Sequence, residues 1–485
     1  MTTKYYLQVE AVNLDAFVYD TNDISTIRGG SFVLREAIRQ HAARFLVKRG
    51  FEPVATAASV GLFYYQGELD EDGIIRELMQ ELESYTQGHA TFQAAVEPAT
   101  GTFEEIRQRL QAKIRRQQMR FPTVRVPAFE PTEQEGYLDG WRPGVVPYRV
   151  DPNVKRAKIS RATEFRRQEG RRLKQDVFRE VLGDGVLTPG QWRVVRDLEE
   201  LARHRDKGVL DGKMALITLD GNGFGQIRRD RCTTRAKRHA FDQMVQNEVL
   251  TPFLQALLHR ALNDADFQTQ SEGKKALRLE VLLWGGDEIT LVVPAWKGLE
   301  TLALFYDIAR EKQFEGAPLT YRSALVFCHH NAPILPMRNL AHQLLDVAKD
   351  HIASRASGNA VHYLVLESFD VLGMPLNSFI AQHYHEDGGP VYAHLLLDGE
   401  NMASLGSNLR QIVRHGSKGR AIDVASMLRS GKLTDVEELT DAFVAAMEPE
   451  QQTRVRQAVR AVLAGHPQRW YLISDLWDYA KEWKR

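Results

Sequence analysis

The chain has 485 residues, 43% apolar and 26% charged, with 63 Lys and Arg balanced by 63 Asp and Glu. Single hydrophobic cores stop growing at roughly 250 to 300 residues, so several domains are expected, and the ordinary composition excludes global disorder. Zero formal charge excludes a globally basic nucleic-acid binder, and two distant cysteines, Cys232 and Cys328, exclude a disulfide framework or a cysteine zinc site.

Any metal must therefore be held by oxygen or imidazole. The longest apolar runs, such as Val281 to Trp284, are far shorter than the ~18 residues of a membrane span. The opening Thr2-Thr3-Lys4-Tyr5-Tyr6 reads as the start of a strand and lacks the layout of a secretory signal. A cytoplasmic protein without membrane contact is expected.

In chain order, alternation predicts a strand over Tyr5 to Tyr19, helical spacing a helix over Phe32 to Arg49, and two apolar strands flank Ser59-Val60-Gly61 within Pro53 to Gln66. A helix over Asp70 to Thr86, a strand over Thr91 to Val96 and a helix over Phe103 to Met119 complete a ferredoxin-like order. Prolines 122, 127, 131, 143, 147 and 152 oppose helix in the next region. The basic stretch Lys155 to Arg179 that follows is amphipathic and predicted helical, so 121–210 reads as a connector.

The same order then returns. A strand over Met214 to Leu219, a long helix over Ala236 to Asn263, and strands Leu277 to Leu283 and Ile289 to Val293 around a tight turn are expected. A helix Gly298 to Gln313, strand Leu319 to Phe327, helix Arg338 to Ile352 and strand Val361 to Leu366 follow. The two halves read as diverged copies of one unit. From about Pro390, a strand-like Val391 to Leu397 precedes helical segments ending in Trp470 to Trp483, a small helical domain. The expected divisions are 1–120, 121–210, 211–375 and 376–485.

Three segments carry chemistry. The first is an apolar strand ending in Asp220, followed by Gly221, Asn222, Gly223, Phe224 and Gly225; a carboxylate beside a glycine loop suits Mg²⁺, which prefers oxygen and is shared with phosphates. The second is Gly285-Gly286-Asp287-Glu288 between nearly all-apolar strands. The glycines make the turn, but two acids there are costly unless solvated, paired or liganded. With Asp220 on a neighbouring strand they form a carboxylate cluster suited to two divalent ions and in-line displacement. The third is Lys349, following an apolar helix face and placed to reach triphosphate oxygens. His329 and His330, adjacent on a strand end, point to opposite faces and are not read as a metal site; His383 to Asp387 is read as loop.

These segments, with Thr320 to Phe327, His329 to Ile334 and the Ala348-Lys349 helix in order, resemble the polymerase-like large subunit of type III CRISPR effector complexes. More distantly the chain resembles GGDEF diguanylate cyclases. The resemblance is strong over 213–370. It is weaker in the first unit, resting there on Asp15 and on Arg28-Gly29-Gly30-Ser31 leading into a helix, with Ala57-Ala58-Ser59-Val60-Gly61 where acids would stand.

The resemblance implies an α+β fold of two ferredoxin-like palm domains, GGDEF/polymerase-type, the first degenerate, with a helical connector and a C-terminal helical domain. It implies a nucleotidyltransferase that converts ATP to cyclic oligoadenylates with two Mg²⁺ or Mn²⁺ ions in antiphage defence. Asp220, Asp287 and Glu288 would be catalytic and, with the Gly221 carbonyl, bind metal. Asn222, Phe224, Gly225, Gly285 and Gly286 would contact nucleotide, Ser31 would shape the second pocket, and Lys349 would bind triphosphate. Expected partners are nucleoside triphosphates, guide or target RNA and small CRISPR effector subunits.

The chain departs from the family where Glu288 replaces a second Asp and Asn222 a common acid, and where the N-terminal nuclease domain and the zinc-insert cysteines are absent. Two other readings follow: a catalytically weak scaffold binding RNA through Lys155 to Arg179, and a diguanylate-type cyclase.

Overall fold

The computed structural model describes residues 3–57, 59–124, 128–130, 134–149, 157–183, 192–271, 273–353, 358–367, 375–384 and 395–483. It is a mixed α and β structure. The first unit holds β1 (Lys4–Val12), α1 (Ile24–Glu36), β2 (Glu52–Ala57), β3 (Val60–Gln66), α2 (Glu71–Thr86), β4 (Thr91–Pro98) and α3 (Phe103–Arg120). Its antiparallel sheet has the order β2-β3-β1-β4, the arrangement of ferredoxin-like folds.

The strand expected to run to Tyr19 stops at Val12. Asn13 takes a left-handed conformation, which asparagine tolerates, and a one-turn helix Leu14–Val18 follows. Helix α1 begins earlier than its spacing implied, because Asp23 caps it by accepting a hydrogen bond from the Thr26 amide at 2.9 Å. Arg28-Gly29-Gly30-Ser31 therefore lies inside the helix and does not lead into it.

The basic connector becomes α4 (Arg161–Leu182), packed along α1. The two backbones touch at glycines: a Cβ on Gly29 would lie 1.7 Å from the Arg166 carbonyl oxygen, and one on Gly170 would lie 1.9 Å from that of Ser25. Several α4 arginines are matched by acids. Arg166 is fully buried and reaches Asp20 at 2.7 Å, Arg172 pairs with Glu169 at 2.6 Å, and Arg179 with Asp176 at 3.0 Å. Much of the charge that suggested an RNA-binding stretch is thus neutralised within the fold. Lys155 and Arg156 lie outside the described residues.

The second unit holds β5 (Lys213–Asn222), α5 (Phe224–Asp230), α6 (Arg235–Met244), α7 (Thr251–Asn263), β6 (Glu280–Gly285), β7 (Glu288–Pro294), α8 (Gly298–Ala309), β8 (Thr320–His329), α9 (Ile334–Ala353) and β9 (Ala360–Val365). Its sheet runs β6-β7-β5-β8-β9, with Leu397–Asp398 at the edge. The first four strands repeat the order of the first sheet. Residues 274–277, at the edge of the expected strand Leu277 to Leu283, pair instead with Trp192–Val194 and Gln268–Ser271 in a separate small sheet. The long helix expected over Ala236 to Asn263 is broken by a wide π-turn, Val245–Leu250, between α6 and α7. The first unit carries its counterpart, Ala37–Ala42, directly after α1.

His383 falls in a helix, Leu376–Tyr384, where a loop was expected; residues 385–387 and 391–394 lie outside the described residues. The remaining helices, Met402–His415 through Trp477–Glu482, pack on one another, and the first and last of them reach α8 of the second unit, with Tyr479 stacked on Phe327 at 3.8 Å between centroids. No helix among the described residues is long and apolar enough to cross a membrane.

One buried carboxylate joins these parts. Glu280 of β6 pairs with Arg28 of α1 and with Lys174 of α4 at 2.6 Å. Burial alone would raise its pKa, yet the two cations outweigh that and hold it below the ordinary value. Glu280→Ala strands two buried cations and is expected to cost about 3–5 kcal/mol. Gly170→Ala, which forces the helices apart, should cost about 1–3 kcal/mol. Urea denaturation with unchanged m-values would check both.

Candidate active site

Strand β5 is central, hydrogen-bonded to β7 on one side and β8 on the other, so Asp220 near its end is fixed by two neighbours. Next to it the β6–β7 hairpin turns at Gly286, whose φ of 63° is one that glycine takes without strain. The tip is further held by Gln246, from the π-turn, which donates to the Gly286 carbonyl. The widened turn thus has a local use, as π-turns at functional sites often do.

Each acid has its own neighbour. Asp220 Oδ2 accepts from Arg322 Nε at 2.8 Å and also from Nη2. Asp287 lies 3.8 Å from Arg228 Nη1, and Glu288 lies 3.9 Å from His342 Nε2. Burial, and then the charge of Asp220, pushes the Glu288 carboxyl up to about 7. Burial is also the main cause of the upward shift of Asp287; Arg228 opposes it and Asp220 adds to it. Glu288 Oε1 is buried with no hydrogen-bond partner. Crowded carboxylates with an unsatisfied oxygen fit a cation, because an ion relieves both the repulsion and the lost solvation. Among the described residues, no three Asp, Glu, His or Cys side chains converge to hold an ion by themselves. An ion here would complete its shell with water, backbone oxygen and phosphate, as Mg²⁺ commonly does.

A cavity of about 540 Å³ opens beside the acids, within the range of small-molecule sites. Its walls come from both units. Gln8, Ser31, Val60 and Arg107 belong to the first, and Asp220, Gly225, Arg228, Arg229 and the Gly285 to Glu288 hairpin to the second. Arg35 stacks over the Trp284 ring at 4.2 Å in the same wall, held by a two-pronged pair with Glu180 of α4 at 2.6 and 2.8 Å.

The structure brings Asp220, Gly225, Gly285, Gly286, Asp287, Glu288 and Ser31 together on this cavity. Phe224 is buried, packed edge-on against Phe241 and Tyr321. It forms the floor under Gly221, where a Cβ would lie 2.4 Å from its ring. Asn222 donates to Thr320 Oγ1 at 3.3 Å and does not line the cavity. Lys349 is exposed on α9, two turns or ~10 Å beyond His342, and also stands off the cavity wall.

Sequence reasoning missed the arginines. Arg228 and Arg229 sit in the last turn of the short helix that follows the glycine loop and were legible as a basic pair close to it. Arg322 lies inside the quoted Thr320 to Phe327 strand, and Arg107 and Arg338 carried no local signal. Asp242 of α6 was missed as well; burial raises its pKa against the pull of Arg238, and Asp287 adds to the rise.

No protein-family profile and no curated protein matches the chain. Solved structures do match in fold. Csm1 of T. onnurineus superposes with a TM-score of 0.57 at 14% identity, covering 99% of this chain and 70% of that one. A Csm1-Csm4 cassette in complex with AMPPNP gives 0.55 at 14% identity, covering 99% and 69%. The cassette in complex with cA4 gives 0.52 at 13%, covering 95% and 70%. The fold is therefore of the class found in type III CRISPR effector subunits. Its structural neighbours are Csm1, the Cas10 protein of those complexes.

Because Glu288 takes up a proton near pH 7, a cation must displace that proton at lower pH. Mn²⁺ affinity is expected to fall about tenfold per pH unit below 7. Isothermal titration from pH 6 to 8 would show this slope, and Glu288→Gln should flatten it.

Proposed function

We propose that this chain is a metal-dependent nucleotidyltransferase that joins ATP into cyclic oligoadenylate-type messengers in CRISPR-related defence. The observation that carries the reading is the composite cavity: three acids on one wall, one with an unsatisfied buried oxygen, facing arginines and a second unit across a space of nucleotide size. The similar cassettes with AMPPNP and cA4 bound, and another with pppApA, support adenine nucleotides as substrate and product class.

Asp220, Asp287, Glu288 and the Gly221 carbonyl would hold Mg²⁺ or Mn²⁺. When bound, the ion supplies activation of a 3′-hydroxyl and neutralisation of the leaving pyrophosphate. Arg228 and Arg229 are placed to take the triphosphate, a role expected above of Lys349, since they share the cavity with the acids. Ser31 and Gln8, from the first unit, would position the second nucleotide. Small CRISPR subunits and RNA are the partners this reading implies.

Purified protein incubated with each labelled nucleoside triphosphate and Mn²⁺ or Mg²⁺, with and without cellular RNA, tests the reading. Phosphatase-resistant oligonucleotides are expected from ATP. Asp287→Ala/Glu288→Ala should lower the yield by more than the 10- to 100-fold typical of losing an outer partner of a metal ligand. A product from GTP alone would replace this assignment with a diguanylate-type cyclase. Binding of nucleotide or RNA without turnover under any condition would leave a scaffold.

A further inference from the structure

We infer that Arg322 is a built-in counter-charge that takes the place of one of the two divalent ions, so that this site works with a single ion. The inference rests on the nucleotidyltransferase reading and concerns how that same site is loaded.

Arg322 and Asp220 are directly opposed residues on adjacent antiparallel strands, so their contact is fixed by register and not by a flexible loop. Both Nε and Nη2 of Arg322 land on Oδ2 of Asp220, leaving Oδ1 outside the pair. The two side chains are only 16% and 23% exposed, so the pair is weakly screened. A third donor, Arg322 Nη1, is buried without a hydrogen-bond partner.

The ligand supply points the same way. Two ions roughly 4 Å apart need oxygens that bridge them. Arg322 has already claimed one oxygen of Asp220, and Asn222, where another acid would add a ligand, is turned to Thr320. One ion can still draw on Asp220 Oδ1, the Gly221 carbonyl, Asp287 and Glu288.

Mn²⁺ counted by electron paramagnetic resonance, with a non-hydrolysable ATP analogue at saturation, tests this on the whole chain. The wild type is expected to hold one ion per chain with the spectrum of an isolated ion. Arg322→Gln should hold two with an exchange-coupled spectrum, and Arg322→Lys, which keeps the charge, should stay at one. A coupled pair in the wild type, or one ion in both wild type and Arg322→Gln, overturns the role of Arg322 and leaves the enzyme reading standing. No Mn²⁺ bound by the wild type, or binding undiminished in Asp287→Ala/Glu288→Ala, overturns the metal-dependent reading itself. A coupled pair in the wild type overturns the inference even if Arg322→Gln does not fold, which circular dichroism would reveal, and Arg322→Lys then carries the comparison.

Discussion

A carboxylate removed from water has to be answered by cations, and Glu280 is answered by two that come from distant parts of the chain. Arg28 rises from the first unit and Lys174 from the connector, and both close on the strand that leads into the acidic hairpin. Arg28 also donates to the Gly170 carbonyl at 2.7 Å, at the point where α1 and α4 touch. Buried ion pairs add little net stability compared with apolar packing, but breaking one is costly. Their use here is geometric. The hairpin cannot shift relative to the first unit without pulling a charge out of its partner, so the two walls of the cavity keep a fixed spacing.

The same physics acts with opposite effect a short way along the strand. At Glu280 the charges are matched, whereas at Asp220, Asp287 and Glu288 acids crowd each other and one oxygen has no partner. A fold bears such a site only if its surroundings over-determine it. The central position of β5, the Gln246 contact on the hairpin tip and the Arg35–Trp284 stack in the adjoining wall supply that restraint. The cost of preorganisation is met by packing remote from the chemistry, leaving the acids ready for a cation.

Much of this was legible in the sequence because period-2 and period-3.6 patterns report burial directly. The order of elements in both units, the glycine turn and the three acids were read from local text. What escaped was set by tertiary contact. Gly29 and Gly170 look like helix breakers until two helices are seen to touch through them. The arginines of α4 look like a nucleic-acid stripe until Asp20, Glu169 and Asp176 are placed beside them. Arg322 sat within a quoted motif, but only strand register shows that it faces Asp220. Lys349 was chosen for its place in a motif, and helical geometry puts it off the cavity wall.

The tandem arrangement also bears on what the first unit contributes. An acid cluster on one open sheet edge would keep its water, and carboxylates that stay hydrated shift little in pKa. The first unit closes the other side of the cavity with Gln8, Ser31 and Val60, and also with Glu10, Glu104, Arg35 and Arg107, so its wall carries acids and bases together. At the turn of its own hairpin stand Ser59 and Val60, where the second unit carries Asp287 and Glu288. Acids there would add repulsion to the burial that is the main cause of the Glu288 carboxyl standing at about 7. An uncharged hairpin turn facing an acidic one then answers one electrostatic constraint: the first unit keeps water from the acids without setting further carboxylates against them at the turn.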